Sequence, residues 1–78
     1  MADVAAGDRA CEAADLDSLR RLAHNLRSAL EMLGDTRLAA HADRVEIHAA
    51  AGEIEHARAS WRPLRNALRD WQAQWPNP

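Results

Sequence analysis

A chain of 78 residues with a net charge of −2 is one small domain, and it lacks a field strong enough to draw it to nucleic acid or to an anionic membrane surface. Hydrophobic residues at 47% against 28% charged place it among folded globular chains, and because all ten basic side chains are Arg, Schiff-base or other lysine chemistry is excluded. Cys11 is the only cysteine, which excludes an intrachain disulfide and makes a reducing cytoplasm the expected compartment; the opening "MADVAAGDRA" lacks the apolar stretch of a signal peptide, and no run approaches the roughly 18 apolar residues of a membrane span.

The spacing predicts an all-α protein. β-Branched residues are few, and Ala, Leu, Arg and Glu dominate. Residues 1–14 are read as an N-terminal segment or short helix carrying Val4, Cys11 and Ala13, interrupted at Gly7. Residues 15–75 are read as the helical bundle. Its first long helix runs from about Asp15 to Leu33 on the stripe Leu16, Leu19, Ala23, Leu26, Leu30 and Leu33, which Leu22 and Ala29 widen. Asp15 or Asp17 suits its N-cap and Gly34 the position just past its end. The second runs from Asp35 or Thr36 to about Ala51, with Leu38, Ala42, Val45 and Ala49 inward, Ile47 nearly opposite them, and Gly52 as its stop.

The third long helix runs from about Glu53 to Trp75, on Ile54, Ala57, Trp61, Leu64, Leu68, Trp71 and Trp75. Pro63 removes one helical hydrogen bond and predicts a kink near Ala59–Ser60 within one helix rather than two helices. The tryptophans are read as core, not as a stacking platform for bases. Short connections favour an antiparallel up-and-down bundle.

His24 is the residue this pattern does not absorb. At about 100° per residue it lies roughly 150° from the centre of the leucine stripe, so it faces water. Its neighbours three and four positions away are Arg20, Arg21, Arg27 and Ser28, with Asp17 and Glu31 further along the same face. An exposed imidazole offers a ring nitrogen as a nucleophile, and arginine forks suit phosphate oxygens. The plain alternative is a solvated helix face.

"AHNLRSALEMLG", residues 23–34, resembles the signature of histidine-containing phosphotransfer (HPt) domains of bacterial multistep phosphorelays. His24 falls on the phosphorylated histidine, Leu26 on the core position after it, Arg27 where lysine is usual, and Leu33-Gly34 on the closing hydrophobic-glycine pair. "DLDSLRRLAH" resembles the lead-in. "LAAHADRVEIHAAAGE", residues 38–53, is similar to the following helix, with Val45-Glu46 at a Leu-Glu pair. "EHARASWRPLRNAL" matches the closing helix only in general character. Two departures stand out: Ser28 replaces the usual glycine, and the long first helix is missing or shortened to residues 1–14, which leaves part of the bundle surface uncovered and suggests an unusually short domain or a homodimer that covers it.

The resemblance implies an HPt-like bundle that accepts a phosphoryl group on His24 from a receiver-domain aspartate and passes it to a response regulator. Arg27 would balance phosphoryl charge, and Ser28 would leave access and offer a hydrogen bond. Arg20, Arg21 and Glu31 are the candidate polar contacts to the partner; Leu22, Ala29 and Met32 are candidate apolar ones, each read first as core or boundary. The implied partners are receiver domains and a hybrid sensor kinase, with Mg²⁺ supplied by the receiver and no cofactor held by this chain. The alternative is a helical interaction or dimerisation module without phosphotransfer. His41, His48 and His56 are expected at packing edges or on the surface, with no metal site. Arg58, Arg62, Arg65 and Arg69 are expected along an outward face, and Cys11 is expected to be inert.

Overall fold

The structure is a computed structural model that describes the backbone of residues 4–74 and the side chains of residues 4–70. The core places expected for the Trp71 and Trp75 side chains lie outside these residues. The chain forms α1 (Val4–Glu12), α2 (Leu16–Met32), α3 (Thr36–Ala50) and α4 (Ile54–Gln74), and no strand occurs among the described residues. Among them, no helix is long and apolar enough to cross a membrane.

Local chemistry sets each boundary. Asp15 caps α2: its carboxylate accepts from the Ser18 N–H at 3.2 Å and from the Ser18 hydroxyl at 2.7 Å. Asp35 caps α3 by accepting from the Leu38 N–H at 3.1 Å. Helices α2 and α3 end alike. Gly34 at φ +81° and Gly52 at φ +77° turn the chain, and the next N–H donates back to the carbonyl five residues earlier, Asp35 to Leu30 and Glu53 to His48, each at 2.9 Å. Helix α1 ends by the same device, Asp15 N–H to Ala10 O at 2.8 Å, with Ala14 rather than glycine in the left-handed region at φ +53°. Helix α4 runs through Pro63 as one helix.

Helices α2, α3 and α4 make the body of the bundle, and α1 lies over α2 and α4. The core is Leu19, Ala23, Leu26 and Leu30 of α2, Ala39, Ala42 and Val45 of α3, and Ala57, Trp61, Leu64 and Leu68 of α4, joined by Ala10 of α1. Five positions differ from the stripes read in the sequence, among them Leu16, which is half-buried at the first turn of α2. Leu33 is 60% exposed because it is the C-cap of α2, where the helical phase ends. Ala39 goes inward in α3, and Leu38 stays half-buried. Ile54, at the first turn of α4, is half-buried as well.

Gly7 does not interrupt α1. It sits buried inside the helix against the Trp61 ring, where an added Cβ would collide with the indole. Trp61 Nε1 donates to Asp8 Oδ1 at 2.9 Å, and Arg65 and Arg69 reach Asp8 at 3.5 Å and 3.3 Å. Arg58 donates through Nε and Nη2 to the Cys11 carbonyl, at 3.0 Å and 2.8 Å, and so joins the Ala14 N–H, 3.3 Å away, on that oxygen at the α1 C-terminus. Three of the four arginines expected along an outward face therefore hold α1 in place. The short first helix, one of the two forms expected for residues 1–14, is present and docked over α2 and α4. The Cys11 thiol is free and half-buried; burial, then the nearby Asp8 charge, pushes it above its ordinary value, away from thiolate reactivity.

Candidate functional site

The α2 periodicity that buries Leu19, Ala23, Leu26 and Leu30 turns His24 outward, and its side chain is 51% exposed. Helix α3 runs antiparallel beside it and presents Asp43 and Glu46, one turn apart, to His24 and Arg27, also one turn apart. Glu46 Oε2 lies 3.0 Å from His24 Nδ1. Arg27 Nη1 donates to Asp43 Oδ1 at 2.9 Å and lies 3.4 Å from Glu46 Oε1, while Arg27 Nη2 lies 3.4 Å from His24 Nδ1.

These contacts fix the ring's proton. A guanidinium only donates and a carboxylate only accepts, so Nδ1 cannot serve both. The 3.0 Å contact prevails over the 3.4 Å one, because Arg27 already has a shorter acceptor in Asp43. In the neutral ring Nδ1 therefore carries the hydrogen and donates to Glu46, and the lone pair then sits on Nε2 of a half-exposed side chain. The site is an oriented, outward imidazole with one arginine beside it.

The sequence reading of the surrounding charges changes. Arg20 donates to Asp17 at 3.2 Å, and Arg21 pairs with the other Asp17 oxygen, so both turn toward the start of α2 instead of toward His24. Arg27 is the guanidinium at the ring, and carboxylates surround it: Asp43, Glu46 and, at 3.7 Å from Nε, Glu31. The Asp43 hydrogen bond, then the Glu46 charge, holds Arg27 above its ordinary value. Ser28 is exposed next to His24. Leu22 and Ala29 are half-buried boundary residues, whereas Met32 is 89% exposed.

Asp43 and Glu46 were not picked out as site residues, although Glu46 lay within the Leu-Glu resemblance. A helical wheel sees one helix at a time, and these two come from the next. The available signal was a pair of acids at i, i+3 on a helix joined by a short loop to one bearing His and Arg at i, i+3.

The remaining histidines gather elsewhere. His48 and His56 stack with ring centroids 5.2 Å apart, and His48 Nδ1 lies 2.9 Å from Glu53 Oε1, where the hydrogen bond holds the Glu53 carboxyl below its usual range. His41 is half-buried on α3. No group of three or more possible metal ligands occurs among the described residues.

No curated protein and no solved structure matches the chain. The family model for the Hpt domain matches residues 1–74.

Proposed function

The chain belongs to the Hpt domain family, and from that premise we propose that it is a phosphorelay intermediate whose phosphoryl-accepting atom is His24 Nε2. The observation that carries this reading is the outward imidazole whose Nδ1 lies 3.0 Å from Glu46 Oε2; with the hydrogen on Nδ1 of the neutral ring, the other nitrogen is the nucleophile we assign.

In this reading a receiver domain, charged by a hybrid sensor kinase, docks its aspartyl phosphate against α2. The Nε2 lone pair attacks phosphorus in line, the bond between phosphorus and the aspartyl oxygen breaks, and that oxygen's electron pair restores the carboxylate. Nδ1 keeps its proton, so the ring becomes positive, and Glu46 partners that charge. The reverse step, onto a second receiver's aspartate, returns the electron pair to Nε2. Catalysis here is positioning and charge compensation. Any Mg²⁺ would be held by the receiver, where it would supply charge compensation for the transferring group. Exposed Ser28 leaves the approach to the ring open, and Arg20, Arg21 and Glu31 form a polar rim for the partner.

The test is to incubate the protein with a phosphorylated receiver and follow acid-labile, alkali-stable label. Wild type gains label and His24→Gln gains none. Label on His24→Gln would overturn the site, and no label on wild type from any receiver of the same genome would overturn the relay. That last outcome would leave the second reading, an interaction module without phosphotransfer, which the engagement of Arg27 by Asp43 favours.

A further inference from the structure

We propose that Asp43 limits the lifetime of the phosphorylated state by holding the Arg27 guanidinium on α3, away from a phosphoryl group carried by His24. The inference rests on the phosphotransfer reading of His24 and concerns a residue outside that reading.

A phosphoryl group brings about −1.5 to −2 charges and needs cationic donors. Three arginines flank His24 in the sequence, yet Arg20 and Arg21 are both paired with Asp17. Arg27 remains. Its shortest contact, 2.9 Å, goes to Asp43, and Glu46 and Glu31 lie within 3.4 Å and 3.7 Å of it. One positive charge is thus ringed by three negative ones.

Glu46 has a separate task, because its other oxygen receives His24 Nδ1–H. Asp43 has no contact with the ring among those found; its partner is Arg27. Arg27 Nε is buried with no hydrogen-bond acceptor among the described residues, and Glu31 Oε1 lies 3.7 Å from it, so the guanidinium is incompletely bonded where Asp43 holds it. The guanidinium is therefore close to the ring and held by a competitor. A phosphoryl group must draw it from Asp43 and, in doing so, leaves the Asp43 carboxylate uncompensated beside a second anion. Both effects raise the free energy of the phosphorylated protein relative to the free one. The device favours discharge over storage.

Discharge to water shows it without a partner. Water attacks phosphorus, the phosphorus–Nε2 bond breaks, and its electron pair returns to the imidazole. The water's protons remain with the released phosphate and solvent. Removing the competitor lets Arg27 settle on the phosphoryl oxygens in the ground state and slows this step.

The experiment charges wild type, Asp43→Asn, Arg27→Gln and the double variant with phosphoramidate and follows decay of phosphohistidine by phosphorus NMR. Asp43→Asn should extend the half-life by roughly two- to fivefold, the range of a partly exposed ion pair, and the extension should vanish in the Arg27→Gln background. Asp43→Ala should behave like Asp43→Asn. Equal half-lives for wild type and both Asp43 variants overturn the proposal, and so does an extension that persists without Arg27, since the carboxylate would then act by its own field. Failure of wild type to form phosphohistidine from either phosphoramidate or a phosphorylated receiver overturns the relay reading itself, and this inference with it.

Discussion

At the scale of single residues, the hydrogen bond between His24 Nδ1 and Glu46 decides which ring nitrogen is available. Glu46→Gln keeps the shape but replaces a charged acceptor with a neutral one, so a ring turning positive on phosphorylation loses its partner. Phosphoryl transfer from a receiver should slow by about three- to tenfold, the weight of a hydrogen bond to a charged group at a partly exposed site, with helix content by circular dichroism unchanged. An unchanged rate would show that Glu46 does not orient the ring. His24, Arg27 and Ser28 were legible from the sequence because their relation is local, three and four residues along one helix. Asp43 and Glu46 were not, because a contact between helices depends on register. Asp15 works at the same scale in a different currency. Hydrogen bonds from the Ser18 hydroxyl and then the Ser18 N–H hold its carboxyl below the usual range. Its contribution to stability is complete above the unfolded value of about 4 and is lost as pH falls through the lower folded value. Asp15→Asn retains a capping acceptor that does not titrate. Its melting temperature, followed by circular dichroism from about pH 5 to pH 2, should fall less steeply than that of wild type; parallel profiles would remove Asp15 from the acid response.

At the scale of elements, three helix ends are built on one plan, and one of them uses the wrong residue. Gly34 and Gly52 occupy the left-handed position after α2 and α3 at no steric cost, and both stops were legible as isolated glycines. Ala14 occupies the same position after α1, so nothing in "EAAD" marked a stop there. An L-residue in this region costs about 1–2 kcal/mol, and part of any gain from glycine is offset by the freer unfolded chain. Ala14→Gly should therefore stabilise the protein by about 0.5–1 kcal/mol in urea denaturation, and a loss of stability would contradict the strained-cap account. The short α1 was ambiguous in the sequence for a related reason. Gly7 reads as a break when only neighbours along the chain are considered. What gives it a purpose is the Trp61 ring, supplied by α4.

At the scale of the whole molecule, the bundle measures 38 × 22 × 17 Å, and its parts join over very different stretches of chain. Helices α2, α3 and α4 meet across turns of a few residues. Helix α1 meets α4 through Asp8, whose partners Trp61 and Arg69 lie 53 and 61 positions away. The all-α class and the antiparallel order were legible because period and loop length set them, whereas the clasp between α1 and α4 leaves no local trace in the sequence. That clasp also has a kinetic meaning. Contacts between chain neighbours form early, and a closure across most of the chain carries the largest loop entropy. On that ordering the Asp8 cluster is expected to form after the folding barrier and to govern how fast the native protein opens rather than how fast it forms. Asp8→Ala should steepen nothing in the refolding limb of a chevron plot and should raise the unfolding rate by nearly the whole loss in stability. A refolding rate that falls by that amount instead would place α1 in the nucleus. An unfolding rate that rises in this way would make the cluster around one aspartate a timer on the native state, set by residues from nearly opposite ends of the chain.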